Sequence, residues 1–404
     1  MENLLVLQSG GPTAVINASL AGVIKGGFDH PEKIGKVYGS LNGIEGVENE
    51  TIRELDIFKN EENLRLLKQT PASYLGSCRK KLPPLGSDDA FYDRIFEVLE
   101  KYNIGYLCCI GGNDSMDTTN KLSAYDAEKG KCIRVIGVPK TVDNDLVITD
   151  HTPGYGSAAK FVSNCMRQIA LDTDVYKMQS VVVREAMGRN AGWLTAAAAL
   201  ANDSELSAAD IICLPERAFD ADSFIKKVEE VSKTKKTIMI AVSEGIRDKD
   251  GNYIKENNSR GDKFGHAALG GAGKTVEGWI ASELGFKTRS IELSTLQRCY
   301  AAGTSLCDVT EAFNAGVKGV EFALAGHTGM MAGFKRTSNN PYNMEIVPLP
   351  VCDIANFEKK IPDEMITADG FGLTDKFCEY ARPLITGEPD LVYKNGSLQF
   401  APKL

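Results

Sequence analysis

Two carboxylates, a hydroxyl and a lysine stand within seven consecutive residues, the Pro-Lys-Thr-Val-Asp-Asn-Asp stretch at 139–145, directly behind an apolar run. In an extended backbone side chains alternate between two faces, so Thr141, Asp143 and Asp145 would share one face. Carboxylates placed in this way can bind Mg²⁺ and accept the proton of an attacking hydroxyl, and Lys140 would neutralise a transferring phosphoryl group. The pattern indicates phosphoryl transfer, although Asp and Asn clusters also simply build turns after strands.

A second segment predicts a phosphate cradle. The apolar run 106–110 is typical of a buried strand, Gly111 and Gly112 of a tight turn, and the residues from Asn113 onward of a helix. The amides and the positive end of such a helix favour phosphate. Asp114 within the cradle would repel an additional phosphate, since two like charges about 4 Å apart cost on the order of 4 kcal/mol at a dielectric of about 20. Asp is also a common helix cap, so a purely structural role stays open.

The elements that must position these residues alternate between strand and helix along most of the chain. Strands are predicted at Leu4–Leu7, Tyr106–Ile110, Cys132–Val138, Gln179–Glu185, Ile211–Leu214 and Thr237–Ser243, each followed by Gly or Asp and then a helical pattern. This alternation predicts an α/β fold with parallel sheets covered by helices. Ligands of such folds gather at the carboxyl ends of the strands, where the two segments above would lie.

Composition favours a cytoplasmic enzyme. The chain has 404 residues, 43% hydrophobic and 25% charged, which is enough for two domains. Its ten cysteines lack zinc-ligand spacing and are predicted to be reduced, and the N-terminus shows no signal-peptide pattern. The net charge of -8 argues against a nucleic-acid surface, and no stretch is long enough to span a membrane.

A competing motif lies at 268–275, where Ala-Leu-Gly-Gly-Ala-Gly-Lys-Thr has alanine in place of the first glycine of a nucleotide-binding P-loop. A true P-loop follows a buried strand, whereas residues 257–266 are polar and charged. The motif is therefore interpreted as a glycine-rich lead into a helix. Asp250-Gly251-Asn252, upstream of it, predicts a hairpin turn in an exposed insertion.

These segments resemble the phosphofructokinase family, and in particular its branch that uses pyrophosphate instead of ATP. ATP-dependent members carry Gly at the positions of Lys140 and Asp114, whereas pyrophosphate-dependent members typically carry Lys and Asp there. The resemblance extends from about Leu4 to about Phe334. It is also marked by Ser9–Asn17, Gly76–Arg79, Met187–Gly192, Leu214–Arg217 and Ala241–Gly245.

The resemblance implies a role for each motif residue. It implies Asp143 as general base, supported by Lys140, Thr141 and Asp145. The implied pyrophosphate-binding residues are Gly11, Arg79, Gly112, Asp114 and Ser115. The implied sugar-phosphate residues are Met187, Gly188, Arg189, Glu216, Arg289 and Arg298, and the implied metal residues are Asn113 and Asp145, with Mg²⁺ as the cofactor.

The resemblance further implies two Rossmann-like, doubly wound domains with mostly parallel sheets and the active site in the cleft between them. Residues 1–155 with about 298–345 would bind pyrophosphate, and 156–297 with about 346–404 would bind fructose 6-phosphate. The expected reaction is reversible phosphoryl transfer to the sugar 1-hydroxyl, in a homodimer or homotetramer. An ATP-dependent kinase, sedoheptulose 7-phosphate as substrate, and a non-catalytic phosphate or nucleotide sensor remain alternatives.

Three positions and a C-terminal extension depart from the family pattern. Asn113 replaces an aspartate that many members use near magnesium, and Thr295 stands where a histidine often contacts the sugar phosphate. Ser180 occupies the position of an arginine that crosses between subunits in bacterial ATP-dependent members. The residues after Ala332 extend beyond the short bacterial enzymes, and the sequence predicts no role for them.

Overall fold

The computed structural model describes residues 1–254 and 271–404, which form two compact units. The first unit comprises Met1–Ser157, Arg298–Glu358 and Thr386–Leu404, and the second comprises Ala158–Gln297 and Lys359–Ile385. The sequence-based boundaries near 155 and 298 lie within three residues of this division. The C-terminal region differs, because 346–358 and 386–404 pack with the first unit and only 359–385 with the second.

The described residues form thirteen strands and twelve α-helices, joined by short 3₁₀ turns. The strands are β1 Glu2–Gln8, β2 Ile34–Ser40, β3 Ile52–Glu54, β4 Ile104–Gly111, β5 Arg134–Pro139, β6 Ser180–Ala186, β7 Ile211–Cys213, β8 Thr237–Ser243, β9 Lys287–Glu292, β10 Met330–Asn339, β11 Tyr342–Pro350, β12 Tyr393–Lys394 and β13 Ser397–Leu398. The helices are α1 Ile16–Phe28, α2 Ile44–Glu48, α3 Glu61–Gln69, α4 Asp89–Lys101, α5 Asn113–Lys129, α6 Tyr155–Asp174, α7 Trp193–Ala196, α8 Ala221–Ser232, α9 Ala272–Leu284, α10 Leu296–Cys299, α11 Leu306–Leu324 and α12 Asp375–Ala381.

The first unit is built on a seven-stranded sheet in the order β11-β10-β5-β4-β1-β2-β3. Its five central strands run parallel, and β3 and β11 are antiparallel edges. Leu4 and Val6 of β1 pack into one hydrophobic cluster, and Leu5 and Leu7 pack into another. Both faces are thus buried, which is why the parallel strands read as continuous apolar runs.

The second unit contains a parallel four-stranded sheet in the order β7-β8-β6-β9. Val181 and Val183 of β6 pack with the apolar residues of α8 and α9, including Val228 and Val276. Strand β9 forms an edge and is partly exposed along its whole length. Together the two units confirm the predicted α/β class with mostly parallel sheets.

Every strand predicted from the sequence is present, each within two residues of its expected ends. The predicted turn at 250–252 is also confirmed, because Arg247 and Tyr253 form an antiparallel bridge around it and Asp248 and Asn252 are joined by a backbone hydrogen bond. Among the described residues, the helices are all too short or too polar to cross a membrane.

Candidate active site

The segment 140–145 forms a turn, so the structure has the turn that the sequence left open and not the extended alternative. Val142 and Asp143 occupy the turn, the Asp143 amide donates to Thr141 Oγ1 at 3.1 Å, and Asn144 has a left-handed φ of 53°. The Asn144 side chain accepts from the Thr152 amide at 3.0 Å. The acidic cluster therefore arises from a locked turn at the carboxyl end of β5 and not from strand alternation.

The predicted phosphate cradle is present at the carboxyl end of β4. Gly112 is the N-cap of α5 and offers no side-chain cap to the first-turn amides, and the uncapped N-terminus of a helix is a favourable place for an anion. A Cβ atom on Gly111 would lie 1.7 Å from Ser115 Oγ, so this position excludes any side chain. Ser115 Oγ is hydrogen-bonded to Ser9 Oγ of the first glycine turn, which joins the two loops.

Two cationic side chains, Lys140 and Arg298, reach the first glycine turn, and a third, Arg79, lies close enough to Lys140 to affect its pKa. Lys140 is almost fully buried, and its Nζ donates to the carbonyl of Gly11. A Cβ atom on Gly11 would lie 3.7 Å from Arg298 Nη1. Burial lowers the pKa of Lys140 to about 8; the carboxylates of the 140–145 turn oppose this shift, and Arg298 and Arg79 add to it. Arg298, predicted to bind the sugar phosphate, thus belongs to the first unit and faces the donor side.

Asp143 and Asp145 form the acidic half of the site. Burial, together with the charge of Asp143, raises the pKa of Asp145 to about 7, and Glu358 adds to the rise while the Thr141 hydroxyl opposes it. Asp145 Oδ1 is buried and accepts no hydrogen bond within the described part of the chain. Two carboxylates that disfavour each other's charge, with one oxygen unpaired, suit a divalent cation held by one or two carboxylates and by substrate phosphates.

Asn113 and Asp114 point in different directions from the first turn of α5. The Asn113 amide is engaged by the C-terminal region, because its Nδ2 donates to the carbonyl of Phe357 and its Oδ1 accepts from the amide of Asn356. These bonds do not support the predicted metal role of Asn113. The Asp114 carboxylate lies 3.4 Å from Lys81 Nζ, and both side chains are largely exposed.

In the second unit, the predicted sugar-phosphate residues 187–189 and Glu216 lie close together at the carboxyl ends of β6 and β7. The Gly188 amide donates to Glu244 Oε1 at 3.2 Å, and Glu216 Oε1 accepts from the Gly192 amide at 2.8 Å. Burial raises the pKa of Glu216, whose Oε2 is buried and unpaired among the residues described. Met187 is fixed by a bond from its amide to Gln297 Oε1.

Arg289 is not part of this group. It lies on edge strand β9 and pairs in register with Val182, five residues before Met187 along β6. At about 3.3 Å per strand residue, that offset is roughly 16 Å. Arg289 instead lines a small surface pocket with Tyr176, Met178 and Lys287.

The competing P-loop motif falls partly outside the described residues, which exclude 268–270. Its remainder forms the start of α9, with Gly271 as a left-handed N-cap at φ 86°. The amide of Gly273 already donates to the buried Glu185 carboxylate at 2.7 Å. A carboxylate of the protein therefore occupies the position that a phosphate would need, in agreement with the sequence-based interpretation.

Sequence reasoning missed three residues that the structure brings to the predicted sites. Glu244 was visible only as part of a family-like strand end, and its bond to the Gly188 amide had no separate signal. Asn356 and Glu358 reach the first-unit site from a region more than 200 residues beyond the 140–145 turn. Only tertiary folding reveals these contacts.

The phosphofructokinase family model matches residues 3–323, most of the chain. The glycine turns, the Asp-Asn-Asp turn and the Met-Gly-Arg segment described above all lie within that match. The chain therefore belongs to the phosphofructokinase family.

Within this family, the chain is similar to proteins named for pyrophosphate. It is 41% identical over 397 residues to the pyrophosphate–fructose 6-phosphate 1-phosphotransferase of Methylococcus capsulatus, covering 98% of this chain and 94% of that relative. The structure of a pyrophosphate-dependent phosphofructokinase from Marinobacter aquaeolei matches with a TM-score of 0.90 and 34% identity, covering 100% of this chain and 96% of that one. A second such structure, from Nitrosospira multiformis, gives 0.89 and 37%, covering 98% and 95%.

Proposed function

We propose that the protein transfers a phosphoryl group reversibly from pyrophosphate to the 1-hydroxyl of fructose 6-phosphate, giving fructose 1,6-bisphosphate and phosphate. The observation that carries this proposal is the positive charge gathered at the Gly10–Gly11 turn, where Lys140 bonds the Gly11 carbonyl and Arg298 lies close by. Burial lowers the Lys140 pKa, and repulsion from Arg298 and Arg79 adds to that shift. A small, highly charged anion relieves that repulsion. The negative charge of Asp114 beside the adjoining cradle would repel an additional phosphate group. The relatives reported above are named for pyrophosphate as donor.

Asp143 is the general base in this proposal. It accepts the proton of the 1-hydroxyl as the sugar oxygen attacks the transferring phosphorus. The Thr141 hydroxyl binds the transferring group, and Lys140 neutralises the charge on its equatorial oxygens. Gly11, Gly112 and Ser115 hold the diphosphate through the two glycine turns, and Arg79 closes over it from an exposed position.

Asp145 would hold the magnesium ion, together with phosphate oxygens of the donor. Its unpaired buried oxygen and raised pKa fit that role, and Asn113 is left out because its amide is engaged elsewhere. The ion, when bound, offsets phosphate charge and orients the donor. The chain's own contribution is to place Asp143, Lys140 and Thr141 on one locked turn.

The second unit would bind fructose 6-phosphate. Arg189 and the backbone of Met187 and Gly188 supply contacts to the sugar phosphate, and the unpaired oxygen of Glu216 accepts from sugar hydroxyls. Burial keeps this carboxylate poorly solvated, so a hydroxyl donor gains strength there.

A homo-oligomer is part of the proposal. Arg289 lies too far from Met187 to serve the same sugar site, but it stands on an exposed edge strand. Near it are several large apolar side chains with 49–71% exposure, namely Leu171, Val175, Tyr176 and Met178. A second copy of the chain packed there would cover these side chains. Arg289 would then reach the sugar phosphate bound by that second copy.

The ten free cysteines agree with the proposed cytoplasmic location.

The deciding experiment supplies purified protein and fructose 6-phosphate with Mg²⁺ and either pyrophosphate or ATP. We expect turnover with pyrophosphate and at least a hundredfold lower kcat/KM with ATP. Turnover with ATP alone refutes the donor, and binding without turnover with either donor identifies a sensor. A parallel series with sedoheptulose 7-phosphate tests the breadth of the acceptor site.

A further inference from the structure

The region after β11 contributes a short segment, residues 351–358, to the first unit. This segment lies beyond the part of the chain that the phosphofructokinase family model matches. Val351, Ile354 and Ala355 are buried in a hydrophobic cluster with Met116 of α5 and Leu146, which directly follows Asp145. The segment is therefore packed between the helix that forms the phosphate cradle and the turn that carries the catalytic carboxylates.

Asn356 and Phe357, near the end of this segment, are fixed by polar contacts. Asn113 clamps the backbone on both sides of one peptide group, accepting from the Asn356 amide and donating to the Phe357 carbonyl. Asn356 Nδ2 donates to Asp117 Oδ1 at 3.1 Å, and Asp117 is paired with Lys121 at 2.7 Å. Asn113 and Asp117 are four residues apart on α5 and so present one face of the helix to the segment.

The clamp requires an amide. An aspartate at position 113 would still accept from the Asn356 amide, but it has no proton to donate and would face the Phe357 carbonyl with like partial charge. Asn113, which replaces an aspartate of many family members, thus suits the two backbone groups that it binds, one a donor and the other an acceptor. Asn356 completes the match, since its φ of 68° turns the chain at this point.

The segment borders the space beside the cradle. The pair of Asp114 and Lys81 stands on one side of the first turn of α5. Asn356 and the backbone of Phe357 stand on another side, and Phe357 is 56% exposed. Glu358 adds a negative charge near Asp145, and this charge contributes to the raised pKa of the Asp145 carboxyl. A short diphosphate needs only the helix end, whereas a nucleoside needs room beyond it.

We infer that residues 356–358, held by Asn113, form a second determinant of donor choice that excludes a nucleoside from the cradle. This inference rests on the proposed function for its biological meaning. Asn113 is a positioning residue here: it acts through the segment that it fastens, and its amide does not contact the donor.

The test compares Asn113→Asp with wild type and with Asn120→Asp, the same change two turns further along α5. Binding of imidodiphosphate and of the ATP analogue AMP-PNP is measured by calorimetry, and amide hydrogen exchange is followed across 351–358. We expect Asn113→Asp to raise exchange in the segment and to shift the ratio of the two affinities toward AMP-PNP by about fivefold, the effect of roughly one hydrogen bond. Asn120→Asp should match wild type in both measurements.

A second variant, Asn356→Gly, keeps the test decisive if Asn113→Asp does not fold. Asn356→Gly keeps the backbone partners of Asn113 and tolerates the left-handed φ, but it removes the bond to Asp117, so a smaller shift in the same direction is expected. Increased exchange without any change in the affinity ratio would overturn the inference, as would unchanged exchange in Asn113→Asp. Because both readouts are equilibrium measurements, a wild-type protein inactive with pyrophosphate would refute the proposed function while leaving this test intact.

Discussion

At the scale of single residues, Asp143 carries the proposed proton transfer. Asp143→Asn keeps the shape of the side chain and removes the base, so we expect kcat to fall by about 10²- to 10⁴-fold, the usual contribution of general-base catalysis. The variant should fold normally, because the Asp143 amide still bonds Thr141 Oγ1. Steady-state kinetics with pyrophosphate check the effect. Asp29→Asn, which alters an exposed ion pair of α1, is the control, and more than a tenth of wild-type turnover in Asp143→Asn would exclude the base assignment.

In the proposed function, Lys140 and Asp114 define the donor together. Lys140→Gly removes a buried cation from the Gly11 carbonyl, and we expect kcat/KM for pyrophosphate to fall at least a hundredfold, equivalent to about 3 kcal/mol of transition-state binding. Combining it with Asp114→Gly opens the cradle and should admit weak turnover with ATP. Lys233→Gly, in an exposed helix end, is a control for the loss of a lysine. Retained pyrophosphate turnover in Lys140→Gly would remove the lysine from the mechanism.

At the scale of elements, the apolar pattern predicted those strands that are buried on both faces. Strand β9, with the sequence Lys-Thr-Arg-Ser-Ile-Glu, gave no such signal because it is an exposed edge. The conformation of the 140–145 segment stayed open for a different reason. Its conformation depends on Asn144 adopting a left-handed φ and bonding the Thr152 amide, a contact that no strand periodicity encodes.

Strand β6 contains a buried charge that periodicity alone would not place there. Arg184 is 1% exposed, and its three guanidinium nitrogens make no hydrogen bond to oxygen or nitrogen within the described residues. Burial lowers its pKa, and the Cys165 thiol on α6 opposes the shift. A buried charge with so little compensation is costly.

Arg184→Met should therefore stabilise the protein, by about 1–3 kcal/mol, since an unbranched apolar chain fills the same space without the desolvation penalty. Urea unfolding followed by circular dichroism measures the change. Arg167→Met, which breaks a half-exposed pair with Asp203, should stay within about 1 kcal/mol of wild type. A destabilised Arg184→Met would mean that the guanidinium has a compensating partner in the folded protein.

At the scale of the whole molecule, the net charge of -8 says little about the site, because charge is distributed locally. The sequence motifs pointed to residues that the structure brings to the candidate site, including Lys140, Asp143 and Asp114. The motifs could not predict the contacts that hold the site in place, because those contacts join distant parts of the chain. His151 illustrates this: its ring nitrogens lie 2.9 Å from Asp150 and 2.7 Å from Glu311, on α11.

This network makes stability depend on pH. Burial alone would lower the pKa of His151, but the charge of Glu311 and the hydrogen bonds of both carboxylates raise it to about 9. Because the pKa of His151 is higher in the folded protein than its unfolded value of about 6.5, the protonated imidazole stabilises the fold. This contribution is complete below about pH 6.5 and is lost as the pH rises through about 9. Despite their burial, Asp150 and Glu311 have lowered pKa values because of His151, so their contribution is lost on acidification.

We therefore expect the free energy of unfolding to fall between about pH 6.5 and 9, by up to about 3 kcal/mol from His151. His151→Gln should be less stable than wild type at pH 6, since two buried carboxylates then face each other, and its stability should vary much less above pH 6.5. Urea unfolding at pH 6, 7.5 and 9 measures both effects. The same substitution at the partly exposed His30, His30→Gln, serves as the matched control. If wild type and His151→Gln lose stability equally between pH 6.5 and 9, the buried imidazole is neutral in the folded protein and the network is held by hydrogen bonds alone.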